Sequence, residues 1–195
     1  MIDNIVQESG VRIKIYDYCI KKRRRYQVFS DKLLNELNEQ IKYELFSANY
    51  YLAMAAYCAA KGMDGFANFF VVQAEEERFH AMKFFHFINE MGGRAQIRGL
   101  DEPKNDYASL EEIFTLSLNH EKFVTGRIYL LMNMAQDERE HATISFLNWF
   151  IDEQVEEESG MTDLLNKVKL LGSEGQGIFL LDKELALRTF TPPAK

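Results

Sequence analysis

Apolar residues recur at alternating three- and four-residue steps through four long windows, the spacing that lays one face of a helix against a core. The first stripe runs Leu37, Ile41, Glu44, Ala48, Tyr51, Ala55, and the second Phe66, Phe70, Gln73, Glu77, His80, Phe84, Phe87, Met91. The third runs Leu110, Phe114, Ser117, Glu121, Val124, Ile128, Leu131, and the fourth Leu147, Phe150, Gln154, Glu157, Met161, Leu164, Val168. Punctuation sets the boundaries. The first helix is expected from Ser30 or Asp31 to about Lys61, before Gly62, and the second from Asp64, read as its N-cap, to Gly92-Gly93. Ser109-Leu110-Glu111-Glu112 reads as a capping box that opens the third, which fades near Gln136; the fourth follows at once, from about Asp137 to Gly172. Each window is roughly 28 to 35 residues, about 40 to 50 Å of helix.

Connection lengths then dictate topology. The first and third joints are a few residues long, which makes the helices they join antiparallel neighbours. Residues 92–108, with their glycines and Pro103, form a stretch of about seventeen residues that can return along the whole bundle, so helices two and three run parallel. Beyond Gly172, Gly175 and Gly177, residues Ile178 to Leu185 make a short fifth helix ending before Pro192. The expected fold is all-α: a four-helix bundle with one long crossover and a short C-terminal helix. Only Pro103, Pro192 and Pro193 occur, so no proline interrupts a window.

Charge breaks the apolar pattern at one height. Window midpoints fall near residues 45, 78, 122 and 155, and the in-stripe glutamates are Glu44, Glu77, Glu121 and Glu157. All four lie within roughly 3 Å of mid-bundle along the axis. A single mid-helix glutamate is usually a solvated residue, but four at one level, with His80 three residues after Glu77, put carboxylates and an imidazole into one layer. Bare anions in a low-dielectric interior cost many kcal/mol unless paired or metal-bound. No Lys or Arg occupies a stripe position, so the compensating charge is expected to be a foreign cation. Hard oxygens with one imidazole suit iron or manganese and also accept zinc. Such an anionic shell favours Fe(III) over Fe(II), since a fixed set of anions attracts the higher charge more strongly. A second Glu-x-x-His, Glu138 to His141, sits about 24 Å from the layer and is read as a surface decoy. Tyr51, seven residues after Glu44 on the same face, fits equally well as an ordinary core aromatic.

Composition narrows the class. The chain has 195 residues, 47% hydrophobic and 27% charged, enough for one domain with a sizeable core. Cys19 and Cys58 stand at neither metal nor redox spacing, and no signal core or run of eighteen apolar residues occurs, so a cytoplasmic protein without a membrane span is expected. The net charge of −7 conceals a basic head: residues 1–28 carry seven Lys/Arg, five of them in Lys21-Lys22-Arg23-Arg24-Arg25, against three acids. The remainder therefore carries −11.

The quoted residues resemble the bacterial non-haem ferritins from Ser30 to about Leu185. The matching stretches are Tyr43-Glu44-Leu45 with Tyr51, Gln73 to His80, His120-Glu121, Trp149 to Glu158, and Gly175-Gln176-Gly177 leading to Asp182-Lys183-Glu184-Leu185. The resemblance implies a ferritin-like domain over 29–190, followed by a tail at 191–195. It implies that Glu44, Glu77 and His80 hold a first iron, and that Glu77 bridges to a second held by Glu121 and Glu157, with Gln154 close by. Glu76, Glu153 and Glu156 match a flanking site for an exchangeable third iron, and Tyr51 matches the tyrosine beside the first. The implied activity is that of a ferroxidase: Fe(II) oxidised by O2 or H2O2 at a dinuclear centre and stored as ferric mineral. Family members assemble as hollow homo-oligomeric shells of twenty-four subunits.

Departures from the wider family sharpen that expectation. The fourth helix carries Gln154-x-x-Glu157 in place of a second Glu-x-x-His, unlike rubrerythrin, ribonucleotide reductase or bacterioferritin. Bacterioferritins place a haem-ligating methionine directly after the bridging glutamate, where this chain has Arg78, so no haem is expected. The competing readings are a di-iron oxidoreductase, which the Gln154-x-x-Glu157 replacement opposes, and a metal-free structural bundle, which the level glutamates oppose. The basic head lies outside the resemblance. It reads either as a segment for a polyanion such as nucleic acid or, preferably, as the product of a start site placed too far upstream; no nucleic-acid partner is expected.

Overall fold

A computed structural model describes residues 29–172 and 175–192; the basic head and the expectations attached to it lie outside the described residues. Five helices follow in order: α1 Asp31–Ala60, α2 Asp64–Glu90, α3 Leu110–Asp137, α4 His141–Leu171 and α5 Gln176–Leu185. Ser30 caps α1 by accepting a hydrogen bond from the Leu33 amide at 3.0 Å, and Ser109 caps α3 from Glu112 at 3.1 Å. The Glu112 carboxylate closes the return half of that box on the Ala108 amide, one residue outside the cap.

Cross-bundle contacts fix the directions. Glu36 meets Arg127, Ser47 meets His120 and Met54 meets Ser117, so α1 and α3 run antiparallel. Gln73 meets Glu157, and the Phe84 and Phe87 rings pack on Phe146, so α2 and α4 do the same. With α1 and α2 also antiparallel across their short turn, α2 and α3 are parallel, as the long crossover requires.

Two boundaries differ from the sequence expectation. The N-cap of α2 is Met63, not Asp64, and its side chain makes no capping bond. Instead Asp182 of α5 accepts from the Gly65 and Phe66 amides at 2.8 and 3.1 Å, a cap delivered from far along the chain. Gly65 permits this approach: a Cβ there would lie 1.6 Å from the Asp182 carbonyl oxygen. The joint between α3 and α4 is a distinct turn. Amide-to-carbonyl bonds Met63 to Cys58, Gly93 to Ile88 and Glu140 to Ala135 close the ends of α1, α2 and α3 alike. Gly62 and Gly92 take the left-handed position in the first two turns, whereas Arg139 takes it in the third, at φ 54°. No glycine marks that helix end in the sequence.

The apolar core is divided. One cluster, with Tyr51, Phe66, Phe70 and Phe114, fills the end covered by α5. The other, with Leu37, Ile41, Phe84, Ile128 and Phe150, fills the opposite end. Between them lies a waist of buried polar side chains contributed by all four long helices.

Candidate metal centre

The waist is built by helical periodicity. Each long helix presents one turn of polar residues where its apolar stripe passes mid-bundle: Glu44 on α1, Glu77 and His80 on α2, Glu121 on α3 and Gln154 on α4. These five are between 0% and 3% exposed. Glu157, one turn past Gln154, is only half-buried and opens toward a cleft.

Glu44, Glu77 and His80 converge, with one ligand atom from each lying within 4.8 Å of the others. His80 Nδ1 stands 3.7 Å from Glu77 Oε2 and 4.0 Å from Glu44 Oε2. These separations are too long for hydrogen bonds. They match the spacing of oxygens and nitrogens around one ion with bonds of about 2.1 Å, whose ligand atoms stand roughly 3 to 4 Å apart. Both of the carboxylate oxygens facing the imidazole are buried without a hydrogen-bond partner. A buried anionic oxygen without a donor is costly, and here two such oxygens face one point. The donor set, two carboxylates and one imidazole, is chemically suited to iron, manganese or zinc.

Neighbours hold this set in place. Gln40, one turn before Glu44, donates from Nε2 to Glu44 Oε1 at 3.0 Å, leaving Oε2 to face the imidazole. The His80 ring stands edge-on to Trp149 and Phe150, at centroid distances of 5.5 and 5.8 Å. The remaining candidates are not part of the three-residue group. Tyr51 donates its hydroxyl to Glu121 Oε1, and Gln154 Nε2 lies 3.4 Å from Glu121 Oε2. Glu157 accepts from Gln73 Nε2 at 2.9 Å. Glu121 and Glu157 are therefore each held by a neighbouring side chain beside the converging trio.

The electrostatics agree with the geometry. Burial, then the charges of Glu121, Glu44 and Glu157, pushes the Glu77 carboxyl well above the usual range. Glu121 is raised to about 8, by burial and by Glu157, against the opposing hydrogen bonds from Tyr51 and Gln154. Tyr51 is raised well above an ordinary phenol by burial and by the surrounding carboxylates, so it remains a protonated donor. Among the described residues no Lys or Arg ion pair reaches Glu44, Glu77, Glu121 or Glu157.

An acidic cleft of about 290 Å³ opens beside the waist between α2 and α4, lined by Glu76, Glu153, Glu156 and Glu157. Glu153 Oε1 stands 4.0 Å from His80 Nε2, and Glu156 is exposed. Burial raises Glu76 to about 7 even though Arg188 opposes the shift. His141 is exposed at the first position of α4, well away from the waist.

Sequence reading missed Gln40, which lies between the apolar positions Leu37 and Ile41, and it did not explain His120. Burial lowers His120 to about 4. Its Nε2 meets Ser47 Oγ at 2.7 Å, and that hydroxyl donates to the Tyr43 carbonyl at 3.0 Å. A neutral imidazole carrying its proton on Nε2 satisfies both contacts. His120 thereby supports the α1–α3 contact beside Tyr51.

Comparison with known proteins follows the same lines. The chain is 47% identical to the bacterial non-heme ferritin of Staphylococcus aureus (strain USA300) over 163 residues, 84% of this chain and 98% of that protein. It is 44% identical, with the same coverage, to the bacterial non-heme ferritin of Staphylococcus haemolyticus (strain JCSC1435). Among solved structures, the open-pore ferritin of the hyperthermophilic archaeon Archaeoglobus fulgidus superposes with a TM-score of 0.82 at 42% identity, covering 83% of this chain and 99% of that one. An engineered closed form of the same ferritin gives 0.82 at 43% identity, covering 84% and 99%. The ferritin-like domain matches residues 34–171, a span that takes in the waist from Gln40 to Glu157, and this chain belongs to the ferritin family.

Proposed function

We propose that this protein stores iron and is itself the ferroxidase that prepares it, oxidising Fe(II) with O2 or H2O2 at a dinuclear centre within each subunit and depositing ferric mineral inside a hollow homo-oligomeric cytoplasmic shell. The observation that carries this reading is the pair of orphaned oxygens, Glu44 Oε2 and Glu77 Oε2, turned toward His80 in an otherwise apolar bundle. Iron here is substrate and cargo. Glu44, Glu77 and His80 bind the first ferrous ion. Glu77 shares its carboxylate with a second, which Glu121 and Glu157 complete with Gln154 beside them.

Two ferrous ions each give up one electron, and dioxygen takes both, with two protons, to leave as hydrogen peroxide. The buried anionic ligands favour the higher charge of the product. Tyr51 holds Glu121 by its hydroxyl and is placed to serve as a local hydrogen-bond or electron donor. Glu157 belongs to both the waist and the acidic cleft, so Glu76, Glu153 and Glu156 provide the exchange site through which a third ion passes toward the store. Aerobic addition of many Fe(II) per subunit followed by size exclusion tests the reading. A very large particle retaining iron far beyond two per chain is expected; a small species that holds only two, or none, contradicts it.

A further inference from the structure

After α5 the chain turns back along the outer face of α2. The Asn68 amide lies within hydrogen-bond reach of the Leu185, Ala186 and Arg188 carbonyls, at 3.1, 3.4 and 3.0 Å, pinning the turn. Two residues past Arg188, the Phe190 ring packs on Phe79 at a centroid distance of 5.7 Å. Arg188 is thus anchored to α2 on both sides. Its guanidinium lies 4.5 Å from the Phe69 ring centre, donates to the Phe69 carbonyl at 3.3 Å and pairs with Glu76 Oε2 at 2.6 Å. It lines the same cleft as Glu76, Glu153, Glu156 and Glu157.

We propose that Arg188 is a tethered competing cation, seated in the acidic cleft so that a metal ion can occupy it only by displacing the guanidinium from Glu76. This rests on the iron-handling function proposed above and concerns how its exchange site is regulated. A guanidinium keeps its charge near neutral pH, so an incoming metal ion always has to compete with it for Glu76. Partly exposed ion pairs of this kind contribute little to stability, so displacement is cheap. The pair nevertheless occupies an oxygen that an incoming ion needs. A monovalent ion offers the remaining carboxylates no more than Arg188 already does, whereas a divalent or trivalent ion does. The cleft therefore selects for charge while holding each ion loosely enough to pass it on.

Crystals of the full chain, wild type, Arg188→Lys and Arg188→Gln, soaked in graded Zn(II) and measured at the zinc edge, test this. Zinc is redox-inert, so occupancy reports binding alone. Arg188→Gln should lower the zinc concentration that half-fills the cleft about ten-fold, the effect of one nearby unit charge in a partly solvated site. Arg188→Lys should fall between Arg188→Gln and wild type. Half-filling between Glu44, Glu77 and His80 should be the same in all three. Equal cleft occupancy in wild type and Arg188→Gln, or zinc in the cleft with the Arg188–Glu76 pair still closed, overturns the inference and leaves the buried centre standing. Failure of zinc to enter the buried trio in any of the three would remove the proposed function and this inference with it.

Discussion

Glu77→Gln separates the metal account from a purely structural one, because the two expect opposite signs. Glu77 is 2% exposed, and its Oε2 has no hydrogen-bond partner. In the metal-free protein, burial and the neighbouring carboxylates hold its proton on well above the ordinary carboxyl range. An unfolded chain releases that proton near 4.5. Each pH unit between that value and the working pH costs folding about 1.4 kcal/mol, so at pH 7 the penalty has an upper limit of roughly 3.5 kcal/mol. Glutamine carries no such penalty, and its amide can take over the donation to Glu44 that the protonated carboxyl makes. Metal-free Glu77→Gln should therefore melt higher than wild type at pH 7, by no more than about 14 °C, with the difference closing toward pH 4.5. If Glu77 is shared by two ions as proposed, the same change removes that ligand, and stopped-flow oxidation of two Fe(II) per subunit should slow by at least about 100-fold. Oxidation at the wild-type rate would show that Glu77 is not a shared ligand, and a variant less stable than wild type at pH 7 would show that its carboxyl does not burden the metal-free fold.

Three further outcomes follow from the same geometry. Because Glu121 is raised to about 8 in the fold against 4.5 unfolded, the native state binds more protons between those values, and metal-free stability should fall as pH rises from 4.5 to 8; bound Zn(II) should flatten that slope, and melting curves across the window with and without zinc check it. Gln40→Leu removes the donor that fixes Glu44 and leaves the buried Glu44 Oε1 without a partner, so Fe(II) affinity measured anaerobically should drop about ten-fold and metal-free melting should fall. Gly65→Ala drives a methyl into the Asp182 carbonyl, so α5 should lose its seat at a cost of about 3 kcal/mol or more, seen as faster amide exchange in α5 and at the start of α2.

The four long helices and their directions were legible because periodicity, caps and the crossover length are local signals that all point one way. The waist was legible for a related reason: glutamate in an apolar stripe is locally wrong, and four at one level have a single shared explanation. Signals that depend on distant partners were not visible. Asp182 caps α2 across more than a hundred residues, so Asp64 reads locally as a cap that it does not provide. Arg139 closes α3 in a conformation that glycine usually announces, so nothing in the local sequence marks the α3–α4 joint. Gln40 sits off the drawn stripe, and its role appears only once its contact with Glu44 is seen. Glu157 looked as deep as its fellows because height along a helix does not give depth across it; the structure turns it to the cleft.

Buried carboxylates that exist to hold iron should take it up at the waist. Anaerobic crystals soaked in Fe(II) and measured at the iron edge would reveal such uptake. One anomalous peak is expected within bonding distance of Glu44, Glu77 and His80, and a second shared by Glu77 with Glu121 and Glu157. A waist that stays empty at saturating Fe(II), with its carboxylates protonated and bonded to one another, would contradict it.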